Sequence, residues 1–172
     1  LGQNTNHFPT HPAVSQAMVD SINAEEFHAY APPAGIEELR QLILADLALP
    51  QASVLVTDGA VEALYIVCHA LSEPGGNFVT TDPGWKWPMQ FAEASGAKVV
   101  EIPIYGREYN YRLSAAQLEG AVDDKTRIVY LVDPNNPLGA CYTAAEIETF
   151  AGIARRVGAY FVHDCTYRHF AD

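Results

Sequence analysis

The segment RIVYLVDPNNPLG, residues 127–139, decides the fold of this chain. Its first six residues are almost entirely apolar and rich in β-branched side chains, which is typical of a strand covered on both faces. The Asn-Pro pair then ends the strand, and Gly139 favours a turn. A strand of this kind predicts an α/β fold, with a mostly parallel sheet and helices on both faces.

The sequence on either side of this segment alternates between short β-branched runs and longer helical patterns. Capping boxes at Ser114-x-x-Gln117 and Thr143-x-x-Glu146 predict the starts of two helices. Strands separated by helices of 10–15 residues indicate βαβ units with right-handed crossovers. Strands are predicted at 53–57, 77–81, 98–104, 127–132 and 159–163, and helices at 60–71, 86–95, from 114, and from 143 to about 157.

The first 50 residues have a different character. They are rich in Pro, His and Asn up to Pro12, helical from about Ala13, and interrupted by a Pro- and Gly-containing turn at 31–35 before a second helix at 36–47. We interpret the chain as an irregular arm over residues 1–12 and one α/β domain over residues 13–172.

Composition excludes several classes of protein. The 172 residues are 49% hydrophobic, 10% aromatic and 18% charged, which is too apolar for a disordered chain. Ten Lys and Arg against 21 Asp and Glu give a net charge of −11, which argues against nucleic-acid or anionic-membrane binding. No uncharged apolar run approaches the roughly 20 residues that cross a bilayer. Three scattered cysteines indicate reduced thiols, so we expect a cytoplasmic protein.

In a parallel α/β fold, ligands bind beyond the carboxyl ends of the strands, so the residues there are candidates for function. Gly59 and Ala60 follow the first predicted strand and open a helix, where backbone N–H groups can hold a phosphate. The alternative is an ordinary strand-to-helix turn capped by Asp58 or Gly59. Trp85 follows a Pro-Gly turn and could stack on a flat ring, or could be a half-buried hydrophobic residue like Trp87.

Polar side chains also follow the last two predicted strands. Asn136 could donate a hydrogen bond to a ligand oxygen, or could only end its strand. Asp164, with Tyr167 three residues later, could pair with a protonated ring nitrogen, or could be a surface or capping residue. His163, Cys165 and His169 have a spacing that fits no usual zinc pattern, so we expect no metal here.

The order of these elements resembles a known family. A Gly-Ala helix start, then P-G-aromatic, N-P-x-G and D-x-x-Y, each closing a successive strand, is similar to the class I/II aminotransferases, which are aspartate aminotransferase-like enzymes of pyridoxal-phosphate fold type I. Residues 30–40, YAPPAGIEELR, resemble the Y-x-x-x-x-G-x-x-x-L-R element of that family. The opening residues 1–4, LGQN, resemble its short strand at the substrate site. The resemblance covers essentially the whole chain.

The resemblance implies pyridoxal 5′-phosphate as cofactor and a role for each matching residue. Trp85 would stack on the pyridine ring, Asn136 and Tyr167 would reach the 3-oxygen of the ring, and Asp164 would pair with the pyridinium nitrogen. The N–H groups of three residues would bind the phosphate: Gly59, Ala60 and Val61.

The resemblance also implies a homodimer with shared active sites. Tyr30 would reach the cofactor phosphate of the neighbouring subunit. The arm at residues 1–12 would line the substrate site, with Asn4 near the substrate carboxylate.

The implied reaction moves an amino group from an amino acid to a 2-oxo acid. In the family, the lysine that forms the Schiff base with the cofactor lies in a Ser-rich segment beyond the D-x-x-Y element, and a carboxylate-binding arginine lies further on. Neither has a match here, because the lysines of this chain are Lys86, Lys98 and Lys125. We therefore expect a fragment of the large cofactor-binding domain that is inactive by itself.

Departures from the family pattern leave alternatives open. Leu138 stands where Thr is usual, Cys165 where Glu is frequent, and His163 where a smaller apolar residue is common. The alternatives are a β-lyase or decarboxylase on the same fold, or a non-catalytic binding domain. A nucleotide-binding domain is a further alternative, but this chain lacks the glycine fingerprint of such domains, since G-x-G-x-x-G does not occur in it.

Overall fold

Four parallel strands form one sheet in the second part of the chain. They are β1 (Asn77–Asp82), β2 (Lys98–Pro103), β3 (Thr126–Val132) and β4 (Tyr160–Asp164), and their order across the sheet is β2-β1-β3-β4. The computed structural model describes residues 5–170, which divide into two units between Val56 and Thr57. The predicted α/β class with a parallel sheet is therefore confirmed.

Helices cover both faces of the sheet, because the side chains of β3 alternate between two apolar layers. The second unit contains α3 (Gly59–Leu71), α4 (Trp87–Ala94), α5 (Ala115–Ala121) and α6 (Ala144–Arg156), with short 3₁₀ turns at Arg107–Tyr109 and Arg168–Phe170. In one layer, α5 and α6 pack against the side of β3 that carries Val129 and Leu131. In the other layer, α3 and α4 pack against the side that carries Ile128, Tyr130 and Val132.

Local sequence signals set the ends of two helices. The predicted capping boxes both form, since Ser114 accepts from the Gln117 N–H and Thr143 accepts from the Glu146 N–H, with the reciprocal bonds also present. Helix α6 is followed by Gly158 at φ +76°, a left-handed conformation that glycine adopts without steric cost. These signals explain why the helical predictions in this region are accurate to about one residue.

The predicted strand at residues 53–57 is wrong. The segment has no regular secondary structure, and its backbone groups do not join the sheet: the Val54 carbonyl oxygen accepts from Arg40 Nε at 3.0 Å, and the Val56 N–H donates to the Ala34 carbonyl oxygen at 3.0 Å. Leu55 is more than half exposed. A β-branched composition favours a strand only where a neighbouring strand is present to pair with it, and the described residues supply none.

The first unit consists of helices and extended segments. It contains α1 (Pro12–Asn23), a 3₁₀ turn at Glu26–His28 and α2 (Glu37–Asp46). Gly35 has φ +95°, and a Cβ atom there would lie 2.5 Å from the Val56 side chain, so this turn requires glycine. The division into an arm at 1–12 and a domain at 13–172 stays a prediction. Within residues 5–170, no helix combines the length and the apolar character needed to span a membrane.

Removing a buried side chain from the layer formed by α5 and α6 should destabilise the fold. Ile153 is 1% exposed, and we expect Ile153→Ala to lower the free energy of unfolding by about 2–5 kcal/mol, because it leaves a cavity in the core. Urea denaturation of the full-length protein, followed by circular dichroism, measures the change. Glu148→Ala on the exposed face of the same helix is the control, and equal effects of the two would contradict this packing.

Candidate functional site

The carboxyl ends of the strands lie at one edge of the sheet. Val132 pairs with Asp164 in the parallel register of β3 and β4, and the Asp133 N–H donates to the Asp164 carbonyl oxygen at 3.0 Å. The segments that leave β3 and β4 therefore emerge side by side. Helix α3 runs back toward the start of β1, which brings its N-terminus toward the same edge.

Asp164, the last residue of β4, has a carboxylate that accepts hydrogen bonds at both oxygens. Tyr130 Oη donates to Oδ2 at 2.8 Å. On the other oxygen, Oδ1, the Thr166 hydroxyl donates at 2.7 Å and the Thr166 N–H at 3.1 Å. Bonds to a charged acceptor are stronger than neutral ones, so these donors fix the direction of the carboxylate at the end of the sheet.

Tyr130 is a site residue that the sequence analysis missed. Its side chain is buried in the middle of the sheet, and burial together with the neighbouring charge of Asp164 raises the pKa of its phenol. The phenol therefore stays protonated and remains a donor to the carboxylate. A tyrosine inside an apolar strand is itself a signal, because a buried hydroxyl needs a partner.

Asn136 and Tyr167, which the resemblance assigns to the same ring oxygen, are in contact. Asn136 Nδ2 donates to Tyr167 Oη at 3.3 Å. Tyr167 packs against the same apolar layer as Tyr130, and half-buried Trp85 packs there as well. The structure therefore places Trp85, Asp164 and Tyr167 on one side of the sheet, with Asn136 touching Tyr167.

The start of α3 has open space beside Gly59. Gly59 has φ +78°, and a Cβ atom there would meet nothing within 4 Å. Gly59, Ala60 and Val61 are exposed, and Asp58 caps the helix with its backbone alone, since its side chain makes no capping bond. The Gly59 N–H donates to the Thr57 carbonyl oxygen at 2.8 Å. The N–H groups of Ala60 and Val61 are thus the first-turn donors available to an anion.

None of the three lysines in the chain is suited to act as a nucleophile at this edge. Lys86 is bound to Glu101 and lies 3.6 Å from Asp82 Oδ1, and the hydrogen bond to Glu101 raises its pKa. A nucleophilic amine requires a lowered pKa. Lys98 begins β2 and Lys125 precedes β3, so both lie at the opposite edge of the sheet.

Two further candidate residues do not belong to the second unit. Tyr30 belongs to the first unit and is fully exposed. Asn4 lies outside the described residues. His163 Nε2 lies 3.0 Å from Asp133 Oδ2.

A model of the protein family described as "Aminotransferase class I and II" matches residues 1–172. This chain belongs to the class I and II aminotransferase family. The resemblance carried by the four motifs is therefore confirmed, and so is the fold that it implied.

Individual relatives and structures agree with membership of the aminotransferase family. An aspartate aminotransferase of Streptomyces avermitilis is 29% identical over 98% of this chain and 43% of its own length. A tyrosine aminotransferase of Bos taurus is 28% identical over 87% and 34%. The solved structure of N-succinyldiaminopimelate aminotransferase from Mycobacterium tuberculosis superposes with a TM-score of 0.87 at 31% identity, over 98% of this chain and 46% of that one. The chain spans less than half the length of these relatives.

The bond between Tyr130 and Asp164 should contribute measurably to stability. We expect Tyr130→Phe to lower the free energy of unfolding by about 1.5–3 kcal/mol, because it removes a buried donor to a charged acceptor. Urea denaturation of the full-length protein measures this. Tyr160→Phe is the matched control, since Tyr160 is 60% exposed in β4 and its change should stay within about 0.5 kcal/mol. Equal losses in the two variants would show that the Tyr130 bond adds nothing.

Proposed function

We propose that this chain is the cofactor-binding part of a pyridoxal-phosphate-dependent aminotransferase, which moves an amino group from an amino acid to a 2-oxo acid. The observation that carries the proposal is the position of Asp164. Its carboxylate lies at the end of β4, accepts hydrogen bonds from Tyr130 and Thr166, and is on the same side of the sheet as Tyr167. Family membership supports the same reaction class.

The donors and acceptors at this edge fit the chemistry of pyridoxal 5′-phosphate. A carboxylate suits a protonated ring nitrogen, a paired amide and phenol suit an ionised ring oxygen, and an indole suits the face of the ring. These groups are Asp164, Asn136 with Tyr167, and Trp85. When bound, the cofactor supplies an electron sink for bonds to the substrate α-carbon.

The start of α3 would hold the phosphate. Ala60 and Val61 present first-turn N–H groups, and the positive end of the helix dipole favours an anion there. Gly59 lets the phosphate approach closely, because no side chain occupies that space. Its own N–H would join the phosphate site after giving up its bond to the Thr57 carbonyl.

The residues of this chain would bind and orient the cofactor but would not move the substrate proton. The geometry of Lys86, Lys98 and Lys125 supports a lysine that lies outside residues 1–172. That lysine would carry the proton between substrate and cofactor, and a separate arginine would bind the substrate carboxylate. The cofactor edge in this chain is then one wall of a larger active site.

The assembly that we propose is a cytoplasmic homodimer. The exposure of Tyr30 supports a role for its hydroxyl outside its own unit, at the cofactor phosphate of the partner subunit. Asn4 and the arm at residues 1–12 would line the substrate site. The names of the relatives make aspartate and tyrosine the first amino acids to test.

Neutralising Asp164 should remove most of the activity of the full-length protein. We expect Asp164→Asn to lower kcat/KM by about 2 × 10²–5 × 10³-fold, because breaking one partner of a partly buried ion pair costs about 3–5 kcal/mol. Turnover of aspartate and tyrosine with a panel of 2-oxo acids is measured. Asp124→Asn on the exposed loop before β3 is the control.

Release of ammonia or CO₂ without consumption of the 2-oxo acid would indicate a lyase or decarboxylase.

Mixing two impaired variants tests the shared active site. If Tyr30 of one subunit serves the site that contains Asp164 of the other, a hybrid of Tyr30→Ala and Asp164→Asn subunits has one fully intact site. We expect the mixture, after dissociation and reassociation, to recover activity that neither parent has. A mixture no more active than its parents would contradict the role of Tyr30 across the interface.

A further inference from the structure

Asp133, the first residue after β3, uses both carboxylate oxygens for structure. Oδ2 lies 3.0 Å from His163 Nε2 on the neighbouring strand, and Oδ1 accepts the Tyr142 N–H at 3.2 Å. The side chain of Asp133 is 11% exposed and that of His163 is 29% exposed. One carboxylate therefore ties the end of β3 to β4 and to the far end of the loop at residues 133–142.

The loop closed by Asp133 carries Asn136. Within it, Asn135 is 3% exposed, its backbone N–H donates to the Ala140 carbonyl at 2.9 Å, and its Oδ1 accepts the Leu138 N–H at 3.1 Å. These bonds shape the turn, but each of them lies inside the loop. Asp133 joins the two ends of the loop to each other and, through His163, to β4, so it constrains where the turn and Asn136 lie.

The Asp133–His163 pair lies on the opposite side of the sheet from Asp164. Side chains alternate along a strand, so His163 points to the layer of α5 and α6, while Asp164 points to the layer of α3 and α4. The His163 ring lies 5.9 Å from the ring of Phe161, which packs in the layer of α5 and α6. Val162 packs in the layer of α3 and α4. Asp133 and His163 can therefore affect the cofactor edge only through the backbone that they hold.

We propose that Asp133 and His163 are positioning residues that fix the loop at 133–142, so that Asn136 meets the ring oxygen of the cofactor beside Tyr167. The inference rests on the proposed function, because it concerns how the same edge is assembled. It also gives a role to His163, one of the positions where the sequence departs from the family pattern. A smaller apolar residue there could not donate to Asp133.

The test measures cofactor binding and the spectrum of the bound cofactor in the full-length protein. Asp133→Ala removes both contacts, and His163→Phe removes one while keeping a flat ring beside Phe161. We expect the dissociation constant for pyridoxal 5′-phosphate to rise about tenfold in Asp133→Ala, as for the loss of one hydrogen bond to a charged group, and by less in His163→Phe. In these variants, the pH at the midpoint of the absorbance change of the bound cofactor should rise by up to about one unit, because the ionised ring oxygen loses its donor, Asn136.

Two further variants separate positioning from general stability. Asp133→Asn keeps an oxygen for the Tyr142 N–H and an amide that can donate to His163, so both measurements should return to within about twofold of wild type. Asp123→Ala removes a carboxylate at the other end of β3, where it accepts from Asn77 Nδ2 at 2.9 Å and 3.1 Å. It should lower the melting temperature without changing the spectrum.

The outcomes distinguish this inference from the proposed function. A wild-type protein that does not bind pyridoxal 5′-phosphate overturns the proposed function and the inference together. Wild-type binding, with an unchanged spectrum and unchanged affinity in both Asp133→Ala and His163→Phe, overturns the inference alone. A spectral shift in Asp123→Ala equal to that in Asp133→Ala also overturns it, because the effect would then be general destabilisation.

Discussion

Parallel hydrogen bonding on both sides of β3 is the constraint on which the rest of the structure depends. β3 pairs with β1 on one side and with β4 on the other, and all three strands run in the same direction. The polar segments that follow β3 and β4 must therefore emerge together. The apolar layers on both faces of β3 stabilise this arrangement, so the polar groups at its end need not contribute the folding energy themselves.

The sequence predicted the features that depend on neighbouring residues. Capping boxes and the alternation of helices and strands from residue 59 onward are local patterns, and these predictions agree with the structure. The sequence could not predict contacts that depend on strand register. Tyr130 reaches a carboxylate 34 residues later, and Asp133 reaches a histidine 30 residues later. The prediction of a strand at 53–57 is wrong for the same reason, because a strand requires a pairing partner that local composition does not reveal.

The two faces of the sheet have different roles in the site that we propose: one contacts the cofactor, and the other positions the loop that carries Asn136. On the side of α3 and α4 lie Trp85, Asp164 and Tyr167, which would face the cofactor, and buried Tyr130, which donates to Asp164. The layer of α5 and α6 contains no proposed cofactor contact, yet its polar groups at the strand ends fix the loop that carries Asn136. A substitution in the second layer can therefore change cofactor binding without touching the cofactor.

The alternation of His163 and Asp164 constrains how this chain can change during evolution. An insertion or deletion of one residue within β4 would exchange their faces, which would send the carboxylate toward α6 and the imidazole toward Tyr130. Substitutions preserve the alternation, whereas changes in strand length do not. The middle of the segment between β2 and α5, residues 105–111, carries no such register, because it lies outside the sheet. We therefore expect variation in length to be tolerated there, while variation near Asp164 must come from replacing side chains.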